Sequence, residues 1–530
     1  MLRNYLTIAL RHLLKHRAYA IINVLGLMVG MVCCLLILLD VQYELSYESF
    51  HHNSDRIYHL DWAGLGQFGA PLARQLPEEI PEIEAVVRFR GFTPVFTYGE
   101  NQFYQPITFA GPDVFDVFDF PLLRGDPETA LQEPYAMILS QDLASKLFGE
   151  EDPLGQTLMW DNTYAYKITG IMRNVPRNTH HWTETLGSLT TVETRPEFAT
   201  NRWFNTYVML REGVSIEDET FAKQVHDFYQ RHAGELPPDA GEPSLMPVRD
   251  IHLDDAMRTY IYSLAAVGLF ILLVACVNFT NLATARAATR AREVGVRKAA
   301  GARQLQLASQ FIGESTLMAA IALILALAMT WLVLPAYRAF AEKPLYLDPL
   351  GNPWVLIGGL ALTLVVGVLA GAYPATVLAG FRPAVALKGE RSASGGSARL
   401  RRSLVTFQFL VAAVLLTATG VVYQQLDYVR TKDLGINRDH VLTIHRHNRE
   451  VAEKLGIIRE SFLADPRVTG FTVTSSVPAE WLVNGFYSAP GQTDEREVDL
   501  IVSTHTSQTS MGSSCSPVAA STTIWRVGPF

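Results

Sequence analysis

Residues 260–303 read YIYSLAAVGLFILLVACVNFTNLATARAATRAREVGVRKAAGAR, and this stretch decides the fold. Its first part, Tyr260–Ala285, carries no charged side chain. About 20 apolar residues in a helix cross ~30 Å of hydrocarbon, and a helix satisfies every backbone N–H and C=O within itself. Residues 286–310 then carry six Lys/Arg against one Glu. Basic residues flanking a short loop stay cytoplasmic, so the stretch reads as a membrane helix ending inside in a basic elbow. Four more apolar blocks lie to either side: Ala18–Leu39, Ser315–Tyr337, Pro349–Phe381 and Ser403–Leu426. The 530-residue chain exceeds one core, and its remainder is too polar to enclose all five blocks. The expected fold class is a membrane protein: an α-helical transmembrane bundle of five predicted spans with a large α+β extracytoplasmic domain.

Charge orients the chain. Arg3, Arg11, Lys15 and Arg17 precede the first block with no acid among them. Residues 382–402 carry six Lys/Arg against one Glu, whereas loop 335–352 balances Arg338 and Lys343 against Glu342 and Asp348. Segment 40–258 holds 16 Lys/Arg and 35 Asp/Glu, a net of −19. Five crossings with the amino terminus inside agree with every loop and put 40–258 outside. The first block reads as a retained anchor, because its apolar run is 22 residues and Leu39-Asp40-Val41 offers no small-residue cleavage site. The division expected is 1–17, a cytoplasmic amphipathic helix with Leu6, Leu10, Leu13 and Leu14 in one stripe; 18–39, span one; and 40–258, the outer α+β domain. Then come 260–285, span two; 286–310, a basic cytoplasmic segment; 311–337, span three; and 349–381, span four, long enough to tilt or to begin in the interface. Residues 382–402 form a cytoplasmic basic loop, 403–426 span five, 427–502 the start of a second outer domain, and 503–530 an atypical tail.

Within 40–258, strands are expected at Ile57–Trp62, Glu84–Phe89, Phe103–Phe109 and Tyr135–Leu139, and helices at Pro71–Glu79 and Ile216–His232. Ser140 caps a further helix with Leu143, Ala144 and Leu147 on one face. Asp161-Asn162 between Thr157–Trp160 and Tyr164–Ile171 signals a hairpin. The strand, helix, PEIEAV, strand order of 56–90 returns at 440–476, with strand Val441–His445, helix Val451–Leu463 and DPRVTGF before a strand. Two related halves are inferred.

Enzymatic motifs are missing from the sequence. There is no Gly-Lys dipeptide, hence no P-loop, and no H-E-x-x-H, G-x-S-x-G or C-x-x-C. Gly64-Leu65-Gly66-Gln67-Phe68-Gly69 matches G-x-G-x-x-G, but Phe89 and Arg90 stand where the ribose-binding acid belongs, so a turn is the reading. His51-His52, His180-His181 and the pair His445 and His447 lack the close acid or cysteine company of a zinc site and read as solvated loop or strand residues; no metal site is expected. Cys33, Cys34 and Cys276 lie in apolar blocks and Cys515 in the tail, which gives no disulfide framework.

In the basic segment, Arg286, Arg290, Glu293 and Arg297 fall on one helix face at spacings of 4, 3 and 4, and Gly295 and Gly301 suggest a bend. Composition alone fits a headgroup anchor or a docking element for a cytoplasmic partner. The segment resembles the signature of the FtsX-like/MacB-like permease family: Asn281 and Leu282 end the span, and Arg290, Arg292, Glu293, Val294, Gly295, Val296, Arg297, Lys298, Ala299, Gly301 and Ala302 follow. Tyr373-Pro374-Ala375, Phe381-Arg382-Pro383 and Ala386-Leu387-Lys388-Gly389 match after span four. FHHNSDRIYHL, VFDVFDFPLLRGDPETAL, LASKLFGEEDPLGQTL and ITGIMRNVP resemble the family's periplasmic core domain.

The resemblance implies a bacterial inner-membrane, multi-pass ABC transporter permease, active in export or periplasmic release, whose partner is a separate cytoplasmic ABC ATPase. ATP and Mg would be bound by that ATPase, and no cofactor by this chain. It implies a dimer, with itself or a related permease, a periplasmic adaptor, membrane lipids around the spans, and no nucleic acid. By resemblance the coupling segment is 286–303, with Arg286, Arg290, Arg292, Glu293, Gly295, Arg297, Lys298, Gly301 and Arg303 as ATPase-contacting residues. Intramembrane polar residues are Asn23, Asn278, Asn281 and Glu314; Glu314 is expected in the first turn of span three, paired with the basic loop. Gly26 and Gly30 give a small-x-x-x-small contact pattern. The family continues to three more spans, so the chain reads as truncated. Residues 503–530, with twelve Ser/Thr and no Asp, Glu or Lys, read as frameshifted, neither strand-like nor helical. A membrane-anchored scaffold that relays ATPase motion without transport stays open; a secondary transporter would need midplane ionisable residues.

Overall fold

The computed structural model describes residues 17–62, 68–194, 203–232, 243–285, 303–348, 353–380, 395–432, 441–444, 454–473, 483–488, 495–503 and 523–526, with positions 294, 296, 298 and 451. Residues 1–16 of the amphipathic helix expected at 1–17, and 382–394 of the basic loop expected at 382–402, lie outside these. The five long apolar helices, labelled in chain order, are α1 (Arg17–Leu45), α2 (Asp255–Ala285), α3 (Gln304–Ala341), α4 (Pro353–Gly380) and α5 (Gly395–Thr431). By length and composition α1, α2, α3 and α5 can each cross a membrane, and α4 contributes an apolar stretch at Ile357–Ala372. The helices outrun the apolar blocks at several ends; α1 continues past Leu39 to Leu45, and α2 starts at Asp255. Backbone hydrogen bonding does not stop where hydrophobicity does, so polar Asp40 and Glu44 stay helical.

α1 packs on α2 and α3, and α3 runs along α4. Leu27, Met31 and Leu35 meet Leu272, Cys276 and Phe279, with Met318, Ala322, Val366 and Ala370 completing the core. Small residues let the backbones approach: a Cβ on Gly30 would lie 2.8 Å from Ala275 Cβ, and one on Gly371 2.9 Å from Ser315 Cβ. Cys34, in the same core, donates from Sγ to Gly268 O at 3.3 Å.

Between α1 and α2 the chain builds a 13-stranded mixed sheet. Strand 203–210 pairs antiparallel with 57–62 and 83–92, and strand 136–140 runs parallel to 164–172. Ile138, Phe89, Tyr207 and Leu131 lie in one core, and Phe96, Phe109, Trp160 and Tyr166 in another. The hairpin at Asp161-Asn162 is present, with Tyr164 opposite Trp160 and both turn residues at positive φ. Ser140 caps helix Gln141–Phe148, its side chain accepting from Leu143 N–H.

Four expectations change. The strand expected at 103–109 is two, Asn101–Tyr104 and Ile107–Ala110, because Pro106 has no N–H for a ladder. Residues 441–444 and 468–473 hold no strand, so the second strand–helix–strand unit shows its helix, Leu455–Leu463, alone among the described residues. Thr523–Arg526, in the tail read as shapeless, pairs as a strand with Glu495–Ser503; its Thr, Ile and Trp suit a pleated surface. Of the glycine-rich stretch, Phe68-Gly69 is a short strand paired with 203–204, and 64–67 lie outside the described residues.

Candidate coupling sites

The basic end of the bundle is partly described. Arg286, Arg290, Arg292, Glu293, Gly295, Arg297 and Gly301 lie outside the described residues. Val294, Val296 and Lys298 are helical; Val294 is buried against Leu307, Phe311 and Ala375, Val296 is exposed, and Lys298 is half-buried. Val294 thus packs on α3 and α4, and Val296 does not. Arg303 is exposed and opens α3, its N–H donating to Gln306 Oε1 at 3.0 Å. Glu314 is buried and accepts from Gln310 Nε2 at 3.2 Å. The helix α3 begins at Gln304, ahead of Glu314 and of the span start expected at 311.

The other polar residues of the bundle also have definite places. Asn23 is buried and donates to Tyr19 O. Asn278 is exposed, with its Nδ2 3.7 Å from where a Gly26 Cβ would stand, and Asn281 is half-buried. Among the described residues the structure joins no two of Asn23, Asn278 and Asn281 by a hydrogen bond.

It gathers another set at the domain-facing end. Asp40 and Glu44 lie one turn apart on α1, so their side chains share a face, and both are buried. Asp40 accepts from Tyr337 Oη at 2.8 Å, from Tyr260 Oη at 3.2 Å and from Lys343 Nζ. Lys343 also contacts Glu44, whose other oxygen meets His252 Nε2. Burial works against the Lys343 charge, yet the hydrogen bonds to Asp40 and Glu44 outweigh it and hold the ammonium above its ordinary pKa.

The network continues into the α+β domain. Tyr47 stacks on His252, ring centroids 3.5 Å apart, and leans on His180. Glu48, fully buried and at positive φ, accepts from Thr179 Oγ1 at 2.8 Å and from the backbone N–H and Nδ1 of His180 at 2.6 and 2.8 Å. His51 Nε2 lies 3.2 Å away, and its Nδ1 accepts from Asp119 N–H. Burial would raise the Glu48 carboxyl, but the contacts from His180, His51 and Thr179 take it well below the usual range. Deeper in, His181 stacks on Phe89 at 3.9 Å, and burial pushes its imidazole down to about 3. The reading of these histidines as solvated is overturned for His51 and His181, which are core residues; His52, on Asp119, and His180, on Glu48, are exposed, and His445 and His447 lie outside the described residues. Sequence reasoning missed this set because its members are scattered along the chain. The available signal was two acids, spaced i and i+4, at the end of a helix with no other charge after Arg17.

Known proteins resemble the chain in two stretches. Residues 20–222 match the MacB-like periplasmic core domain and 265–383 the FtsX-like permease C-terminal domain. The pyoverdine export ATP-binding/permease protein PvdT of Pseudomonas syringae is 23% identical over 309 residues, 56% of this chain and 44% of PvdT. The permease YknZ of Bacillus subtilis is 25% identical over 246 residues, 45% of this chain and 57% of YknZ. The macrolide export protein MacB of Neisseria meningitidis is 21% identical over 283, covering 52% and 42%. The chain thus spans less than half the length of the PvdT and MacB relatives. Among solved structures, a permease domain from Porphyromonas gingivalis shares 26% identity at a TM-score of 0.33, covering 37% of this chain and 92% of that one. The YknZ extracellular domain shares 17% at 0.28, covering 36% and 99%. The two domain matches follow one another in chain order and take in more than half of the sequence, and by them the protein belongs to the FtsX-like/MacB-like permease family.

Proposed function

We propose that this chain is the permease subunit of an ABC-type complex, in which a separate cytoplasmic ATPase drives export or periplasmic release of a substrate. The observation that carries the reading is the order of the two matched domains, with the basic segment 286–303 lying inside the second of them. In this reading the long apolar helices cross a bacterial inner membrane five times, the amino terminus and 286–303 face the cytoplasm, and the α+β domain stands in the periplasm. The ATPase meets the coupling segment, chiefly at Arg292, Glu293, Gly295 and Arg297. Its motion passes along α1 and α2, which carry the chain into and out of the α+β domain. A dimer, and an adaptor on the far side, complete the assembly.

Co-purification with a co-expressed ABC ATPase tests the contact. The wild-type chain is expected to retain the ATPase, and Glu293→Ala with Arg297→Ala to lose at least ten-fold of it without a change in thermal midpoint. Full retention by the double variant refutes the contact. Labelling of cysteines placed in 286–303 from the periplasmic side would refute the topology. ATP-dependent substrate movement in vesicles then separates transport from a scaffold that relays motion alone.

A further inference from the structure

We propose that Lys343 is a charge lock that clamps the two chain crossings between bundle and α+β domain, and so sets whether that domain is held against the helices. The proposal rests on the chain spanning a membrane and not on the ATPase contact.

Asp40 and Glu44 are two carboxylates one helical turn apart, each almost without solvent. Like charges at this spacing repel, and burial strips the water that would screen them. Among the described residues Lys343 is the one Lys or Arg that touches either, and it touches both. The remaining donors are two tyrosine hydroxyls and the His252 imidazole, none of which carries a fixed positive charge.

The connection between α3 and α4 is shaped to deliver this ammonium. α3 ends at Ala341, and Glu342 takes a left-handed turn at φ 54°. Leu345 then plugs, buried, among Leu39, Leu334 and Tyr43. Arg338 donates to Leu345 O and lies under the Tyr346 ring, 4.7 Å from its centroid. The loop is thereby pinned on both sides of Lys343.

What is locked follows from the partners. Asp40 and Glu44 stand on the helix entering the α+β domain, and His252 on the segment leaving it. Glu44 contacts both Lys343 and His252. With Lys343 in place the two crossings are tied at one point, and Ser46, Tyr47 and Glu48 seat the 178–181 loop just past the same helix end. Without it, the pair of buried carboxylates lacks its counter-charge. Removing one partner of a buried pair costs far more than replacing the whole set by neutral groups, so charge, rather than shape, holds the contact.

Hydrogen–deuterium exchange on the full chain in nanodiscs, without ATPase, provides the test. Lys343→Met is expected to speed amide exchange at least ten-fold in 46–56 and 248–254, while strands 136–140 and 164–172 exchange as before. Lys343→Arg is expected to keep wild-type protection. The neutral set Lys343→Met, Asp40→Asn and Glu44→Gln is expected to restore it, which loss of packing alone would not. Wild-type exchange in Lys343→Met, or a neutral set as open as the single variant, overturns the lock. Should Lys343→Met unfold outright, the neutral set decides: a folded, protected triple variant supports the lock, and an unfolded one overturns it. ATPase retention is read in a separate experiment, so failure of the lock and failure of the functional reading remain distinguishable.

Discussion

α1 and α5 are both long apolar helices, and their sequences give the same expectation of a membrane crossing. Their surroundings differ. In α1, Leu27 and Met31 are 1% and 0% exposed, and the polar end at Asp40 and Glu44 is buried and paired. In α5, Phe409, Leu416 and Tyr423 are 72%, 75% and 72% exposed, and Asp427 and Arg430 at the corresponding end are exposed as well. Hydrophobicity makes a helix fit for lipid, but lipid is as apolar as leucine and gives no reason to pack. What fixes α1 in the bundle is close approach at small residues together with a polar knot at its domain-facing end.

The largest expected effect lies in that knot. Glu48→Ala leaves the Thr179 hydroxyl and the His180 N–H without their acceptor inside the protein, and loss of one partner from such a buried set costs about 3–5 kcal/mol. The thermal midpoint of the full chain in detergent measures it. The pH dependence has a definite sign: the carboxyl is held low in the folded state, so its stabilisation is complete above pH about 4.5 and is lost as pH falls below that. A midpoint unmoved by Glu48→Ala breaks the comparison, because the end of α1 would then matter no more than that of α5.

His181 gives a smaller effect in a higher pH window. Its folded pKa of about 3 lies below the ordinary 6.5, so the unfolded chain takes up the proton first. Stability from this residue is therefore present above pH 6.5 and declines as pH falls toward 3, by about 1.4 kcal/mol per unit and about 2 kcal/mol between pH 6.5 and 5. His181→Phe keeps a ring against Phe89 and removes the proton, so the melting midpoint of that variant is expected to lose this part of its acid slope. An unchanged slope would show that the buried imidazole is not what titrates.

The difference between the helices also explains what was legible. The apolar blocks, the Asp161-Asn162 hairpin and the Ser140 cap were read from residues adjacent in sequence, where periodicity and local hydrogen bonding decide the structure. The knot was not, because Asp40, Glu44, His252, Tyr260, Tyr337 and Lys343 come from five separate parts of the chain, and no local pattern says which charge will meet which. Loop 335–352 looked merely neutral by count, yet its Lys343 is the counter-ion of two acids some 300 positions earlier. His181 was misread for the same reason, since Phe89 and Phe118 join it only once the sheet has folded; His51 was misread although its partner Glu48 stands three residues before it, because burial of the pair is not a local property.

The smallest expected effect sharpens the comparison most, since one substitution should change sign between the two helices. Replacing glycine by alanine inside a helix gains about 1 kcal/mol of propensity. At Gly420 of α5 a new Cβ meets nothing within 4 Å, so Gly420→Ala is expected to raise the thermal midpoint slightly. At Gly30 of α1 the same Cβ would stand 2.8 Å from Ala275 Cβ, an atom fixed to the α2 backbone that cannot swing aside. Overpacking of that kind costs about 1–3 kcal/mol, which meets or exceeds the propensity gain, so Gly30→Ala is expected to lower the midpoint or at best leave it level. The collision can be relieved only by moving α1 off α2. If Gly30→Ala stabilises as much as Gly420→Ala, the two helices are equally free of neighbours at these positions, and the close approach of α1 to α2 is not what holds the bundle together.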